Sequence, residues 1–297
     1  MMTNNVVVLR YHNVTPAALF AEHSELYARV CAMGEAATRR LGALQKLFWA
    51  CSSYNRAQLV ECGAPLSRCS VLPPFHAIER MAGVPADMSL AKRLDGAGGK
   101  LLCVSAIKPH KGHLRALRIL LEYCRLYDPR ARLVIAGTTD EWLSAYVQAL
   151  HDEAARLGLA DNVIFAENIS QAQLHGLYLS ADVFLCVSEH EGFGVPLVEA
   201  MYFGVPVVAW GRTAVPETLG DAGIVLWEYD DTAFATAIRD IVQDRERAGV
   251  IVEAGHRRYE RCFQPRVVER RLIAILEEVL AGCGRAQHTK TTAADWS

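Results

Sequence analysis

Two short segments carry residue types and spacings suited to holding an anion and a polyol. The first is Ser105-Ala-Ile-Lys-Pro-His-Lys-Gly-His113. It gathers Lys108, His110, Lys111 and His113 where an apolar run ends and a helical pattern begins. Backbone N–H groups at a helix start, with a lysine beside them, make an anion site. A solvated turn that merely contains basic residues is the competing reading. The second segment is Ser188-Glu-His-Glu-Gly-Phe-Gly-Val-Pro-Leu-Val-Glu199. Gly192 and Gly194 let backbone approach a ligand closely, and Pro196 is a favoured first-turn residue. Glu191 falls on the loop and Glu199 one turn into the helix, so both carboxylates can face one cleft. Either glutamate alone reads as a solvated charge or as a complement to the helix dipole. Together, with the glycines between them, they suit a polyol on a phosphate carrier.

Elements that could position these loops follow from periodicity. Short apolar runs at 6–10, 48–51, 69–72, 101–105, 132–136, 163–165, 182–187, 205–209 and 223–226 read as strands. Between them lie helical patterns: one or two over 19–47, then 53–61, 113–127, 141–157, 171–180 and 196–203, a short one at 215–219, and two over 232–259. Strands apolar on both faces, alternating with helices, imply a parallel sheet covered on both sides. Ligands then bind beyond the carboxyl ends of the strands, where both loops fall. The stretch 76–99 has no clear period and ends in Asp95-Gly-Ala-Gly-Gly99, a linker pattern. A last helix, about 265–280, is apolar on more than one stripe and is expected to bury against more than one neighbour.

Composition narrows the function classes. The 297 residues carry 31 Lys and Arg against 33 Asp and Glu. A net charge of −2 excludes binding nucleic acid by phosphate neutralisation alone, and no nucleic-acid partner is expected. Nine cysteines without a CxxC pair read as small buried hydrophobes in a reducing compartment, not as a zinc site or disulfide frame. The most apolar window, 192–211, contains Glu199 and is broken by Pro196 and Pro206, so it is not a membrane span. Asp230-Asp231 precedes a helix and reads as a cap.

The stretch SEHEGFGVPLVEAMYFGVPVVAW, 188–210, resembles the E-x7-E signature of retaining GT-B glycosyltransferases of family 4, the glycosyl transferases group 1. VSAIKPHKGH, 104–113, is similar to that family's phosphate loop. AGTTDEW, FAENISQAQLHGLY and VPETLGDAGIVL follow in the family's order. The resemblance covers about 100–282, and more weakly 5–74. It implies an α/β GT-B fold with a complete Rossmann-like C-terminal domain and a shortened N-terminal domain. The expected boundaries are a partial acceptor-side domain at 1–85, a linker at 86–99 and a nucleotide-sugar-binding domain at 100–264. A crossing helix at 265–282 and a disordered tail at 283–297 complete the chain.

The resemblance also implies roles. Glu191 would meet the donor sugar's hydroxyls and Glu199 the ribose. Backbone amides at Phe193, Gly194, Val195 and Leu197 would meet sugar and pyrophosphate. Lys111 would neutralise the diphosphate, and Asn168 and Ile169 would meet the base. His12, in Leu9-Arg-Tyr-His-Asn13, would stand near the transferred sugar; capping a turn is its other reading. The implied catalytic set is His12, Lys111 and Glu191, with a UDP- or GDP-sugar as substrate and no obligatory cofactor or metal. The acceptor would be a glycan or lipid-linked molecule, the setting surface polysaccharide synthesis at the cytoplasmic face of the inner membrane. Two departures stand out. The family's arginine five residues before the lysine is Ala106 here, with Lys108 as a nearby substitute. The short N-terminal portion also implies an exposed apolar face that associates with a partner chain, a second copy or the membrane surface. An impaired or partner-requiring nucleotide-sugar-binding subunit is therefore the alternative to an active enzyme. A third reading is another nucleotide-using enzyme, such as a sugar-nucleotide epimerase.

Overall fold

A computed structural model describes residues 6–44 and 46–284. The chain opens with β1 (Val8–Tyr11), α1 (Glu25–Gly42), β2 (Leu47–Ala50), α2 (Ser53–Glu61) and β3 (Cys69–Val71). These strands form a three-stranded parallel sheet in the order β1-β2-β3. The helical pattern over 19–47 resolves into a 3-10 turn at Ala17–Phe20 and then α1, because Ser24 caps α1 by accepting from Tyr27 N. Ser52 caps α2 in the same way. The aperiodic 76–99 holds α3 (Ile78–Ala82) and a 3-10 turn at Ala91–Leu94, with Ile78, Ala91 and Leu94 buried.

The regular alternation then runs β4 (Lys100–Val104), α4 (His113–Leu126), β5 (Arg132–Gly137), α5 (Ser144–Arg156), β6 (Val163–Glu167), α6 (Gln171–Ser180), β7 (Val183–Cys186), α7 (Val195–Phe203), β8 (Val207–Trp210), α8 (Val215–Leu219) and β9 (Ile224–Leu226). Helices α9 (Asp231–Gln243) and α10 (Arg245–Arg258) follow, then a π-helical turn at Tyr259–Phe263 and α11 (Pro265–Gly284). The second sheet is parallel, in the order β6-β5-β4-β7-β8-β9. Its strands alternate between two cores, as a period of two requires. Leu101, Leu133, Ile135, Val183 and Leu185 pack with α4, α5 and α9. Leu102, Val134, Phe184 and Cys186 pack with α6, α7 and α8. Asp230 caps α9 by accepting from Ala233 N at 2.7 Å, as its position suggests.

The sheet grows from β4 through β5 to β6, then resumes with β7 on the other side of β4. The crevice between the β4 and β7 ends is thus a topological switch point, and the two candidate loops leave those two strands. Helix α11 crosses to the first sheet: Val268, Leu272 and Ile275 pack on Leu72 and Trp49, and Arg271 Nε donates to Val71 O at 2.8 Å. The expectation that it buries several stripes does not hold. Ile273, Leu276 and Leu280 are exposed, because the short first sheet covers one flank of the helix. Beyond α11, the expected tail lies outside the described residues from 285 onward. Among the described residues, no helix is long and apolar enough to cross a membrane.

Candidate functional site

The Lys108–Gly112 turn leaves β4 and folds under α4. Gly112 has φ 75°, and a Cβ there would stand 2.1 Å from Val187 O. Only glycine lets the two loops approach this closely. Glu189 N donates to His110 O at 2.8 Å, lacing them together. Lys111 Nζ then reaches Glu191 Oε1 at 2.7 Å, with side chains 16% and 12% exposed. Ser188 Oγ donates to the same carboxylate oxygen at 2.9 Å. Glu191 N donates to Thr213 Oγ1 at 2.9 Å. The crevice beside this pair, about 10 Å³, is lined by Ser105, Ser188, Glu191, Gly194, Pro196 and Leu197 among others. The first turn of α7 opens onto it, so its dipole adds positive potential there.

Sequence-predicted residues distribute along one sheet edge. Glu199 lies one turn deeper in α7, where Tyr178 OH donates to its Oε2 at 2.7 Å. Burial pushes the Glu199 carboxyl above its ordinary range, and the tyrosine partly offsets that. Asn168 ends β6 with φ 53° and ties its side chain to Thr139 Oγ1 at 3.0 Å. It stands two strands from β4, about 10 Å along the edge. Ile169 packs against the α7 side of the sheet. Phe193 is buried, edge-on to Phe263 at 5.6 Å, and its carbonyl accepts from Thr218 Oγ1 at 2.6 Å. Gly194 has φ 89° and precedes α7, which opens at Val195. The Leu197 amide is already used, donating to Gly194 O at 3.0 Å.

His12 comes from the other sheet. It is exposed, with Nδ1 3.6 Å from Cys51 Sγ. Burial, then Arg10, lowers its pKa. Its carbonyl and Asn13 crowd Gly192: a Cβ there would meet Asn13 Cβ at 2.7 Å. A polar network joins the two sheets around this point. Asn13 bridges Asn55 Oδ1 at 2.6 Å, Gln58 Oε1 at 3.1 Å and His190 Nε2 at 2.6 Å. Ser52 Oγ donates to Gly192 O at 2.8 Å, and the Glu217 carboxylate accepts from Ser53 N at 2.8 Å.

Sequence reasoning missed Ser188, Tyr178, Thr213 and this network. Apart from Ser188, three residues before Glu191, their partners lie 21 to 177 residues away, so no local spacing announces them. Lys108 Nζ sits 4.9 Å over the Tyr27 ring, while Tyr27 OH bonds Asp140. Lys108 thus ties α1 to the second sheet. Burial holds His110, His113 and His190 neutral, with pKa values pushed down to about 2, 3 and 4.

Comparison with known proteins bears on the family and the fold. A family model described as glycosyl transferases group 1 matches residues 91–258. The GDP-mannose-dependent alpha-(1-6)-phosphatidylinositol monomannoside mannosyltransferase of Mycolicibacterium smegmatis is 30% identical over 230 residues, covering 74% of this chain and 59% of the relative. The D-inositol 3-phosphate glycosyltransferase of Geodermatophilus obscurus is 33% identical over 218 residues, covering 69% of this chain and 46% of the relative. The chain therefore spans about half the length of the curated relatives it matches. Among solved structures, HepE of Anabaena in complex with UDP and glucose aligns with a TM-score of 0.75 at 20% identity, over 92% of this chain and 72% of that one. WaaG, a glycosyltransferase involved in lipopolysaccharide biosynthesis, aligns at 0.68 and 18%, over 93% and 74%. These two likenesses establish the fold, which is GT-B. With one family model matching over half of the residues, the chain belongs to the glycosyl transferases group 1 family.

Proposed function

We propose that the chain transfers a sugar, with retention, from a UDP- or GDP-sugar to a glycan or lipid-linked acceptor in surface polysaccharide or glycolipid synthesis. The observation that carries this is the Lys111–Glu191 pair at the switch point, beside the N-terminus of α7. A donor laid along the strand ends would put its base near Asn168 and Ile169 and its ribose at Glu199. Its diphosphate would reach Lys111 and the first turn of α7, and its sugar Glu191, on the side facing His12. Lys111 and the helix dipole would stabilise charge growing on the leaving diphosphate, so no metal is required. The GDP-mannose dependence of one relative and the UDP held by HepE support a nucleotide-sugar donor of either base. An exposed α1 stripe of Leu26, Val30, Met33 and Leu41, beside Arg29 and Arg40, supports placement on an anionic membrane face. Sedimentation with anionic vesicles should carry the protein down, and neutral vesicles should not.

Calorimetry with UDP and GDP tests the donor site. One of them should bind, and Glu199→Ala should weaken it by about 1.5–3 kcal/mol. No binding of either at millimolar ligand would end the proposal. One observation favours the second reading, a binding subunit impaired in transfer. Position 106 is alanine and Lys108 is engaged with Tyr27, so one phosphate-facing cation is lost. Nucleotide binding without donor hydrolysis or transfer by the purified chain would select it.

A further inference from the structure

We infer that donor binding is an exchange of anions on Lys111: Glu191 is its resident counter-ion, the diphosphate displaces it, and its return expels the spent nucleotide. The inference rests on the donor-site reading above. The Lys111 ammonium and the Glu191 carboxylate are each largely shielded from water and 2.7 Å apart. The oxygen bound to Lys111 also accepts from Ser188, so the carboxylate is held in that place by two donors. Other cations around the crevice are engaged elsewhere. Lys108 lies on the Tyr27 ring, and Arg115 pairs with Glu189 while stacking on Trp210.

A diphosphate arriving at Lys111 would put two anions on one ammonium, and like charges at such range repel strongly. The backbone cannot withdraw to relieve this. Glu191 N is held by Thr213, and the next carbonyl, Gly192 O, by Ser52. The Glu191 side chain must therefore swing away alone. A free carboxylate only accepts hydrogen bonds, and a sugar presents hydroxyl donors where a bare diphosphate presents none. A nucleotide-sugar thus displaces Glu191 and satisfies it. A nucleoside diphosphate displaces it and leaves it without donors. Once the sugar has moved to the acceptor, Glu191 competes again for Lys111 and drives the product off. One ion pair then does two things: it favours loaded donor over spent nucleotide, and it speeds release.

The test is calorimetry with UDP, GDP and the corresponding nucleotide-sugars on the whole chain and its Glu191→Gln, Lys111→Ala and double variants. Glu191→Gln should bind the nucleoside diphosphate roughly tenfold tighter, since a competing charged hydrogen bond is gone. It should not tighten the nucleotide-sugar, so the preference for loaded donor collapses. The gain should vanish when Lys111 is alanine. Stopped-flow release of a fluorescent nucleoside diphosphate should slow to match. Ser188→Ala loosens the same carboxylate and should move affinity the same way by about two- to threefold, which keeps the test available if Glu191→Gln misfolds. Equal or weaker diphosphate binding by Glu191→Gln, or a gain that persists without Lys111, overturns the exchange while leaving the donor site standing. No diphosphate binding by any of the proteins overturns both.

Discussion

The two parallel sheets are built to different depths. In the larger one, Leu101, Leu133, Val134, Ile135, Val183 and Leu185 are at most 1% exposed, and helices cover both faces. In the smaller one, all four residues of β1 are only partly buried, and the local cluster is Phe48, Ala50, Leu59, Ala64 and Cys69. The smaller sheet gains burial from the rest of the molecule. Phe20 precedes β2 in the chain yet is 1% exposed within the larger sheet's core cluster, stacked on Tyr27 at 4.9 Å and edge-on to His110 at 5.4 Å. Helix α11 returns to close the far side on Leu72. One sheet carries its own core; the other borrows one. The Lys111 and Glu191 loops therefore sit on the sheet with its own core, and the strand end carrying His12 is held against them from the dependent one.

This contrast can be broken most severely at Phe20. Phe20→Ala should cost about 3–5 kcal/mol, read as a lower unfolding midpoint. Hydrogen exchange should show lost protection over β2 and β3 with β4 and β5 unchanged. Equal loss in both sheets would mean the smaller one does not depend on this contact. Acid should strain the larger sheet's loops next. His110, His113 and His190 are neutral when folded, with pKa values near 2, 3 and 4 against 6.5 when free. The folded chain then binds fewer protons than the unfolded one. Their contribution is whole above pH 6.5 and falls as pH drops toward 4. A total loss of about 5 kcal/mol between pH 7 and 5 is expected, with imidazole NMR signals of the three flat over that range. A smaller effect sharpens the seam itself. Glu217→Ala removes a carboxylate that accepts from Ser53 N and Tyr54 N across the two sheets. It should cost about 1–2 kcal/mol and raise exchange at the first turn of α2 without disturbing α7.

Much of the larger sheet was legible because its signals are local. Glycines at 112 and 194 and the proline at 196 mark helix starts, Gly204 marks a helix end, and the apolar runs mark strands, without help from distant residues. The Lys111 and Glu191 loops could be placed at one sheet edge from the rule that ligand loops follow the carboxyl ends of parallel strands. What escaped was made by distance along the chain. Asn13 meets His190 across 177 positions and Ser53 meets Glu217 across 164, and nothing near either residue signals its partner. Lys108 illustrates the limit best. Its sequence neighbourhood points to phosphate, but an aromatic ring from α1 reaches it first. The apolar face of α11 was visible as residues, while the number of neighbours available to cover it was not.

Gly192 has no room for a side chain, since Asn13 and the His12 carbonyl already fill the space where one would grow. The loop between β7 and α7 and the end of β1 are therefore in direct register. A change of residue at either surface shifts the other, and an insertion between Cys186 and Val195 would push the two sheets apart. Residue choice on the two sides of this contact should thus drift together over generations.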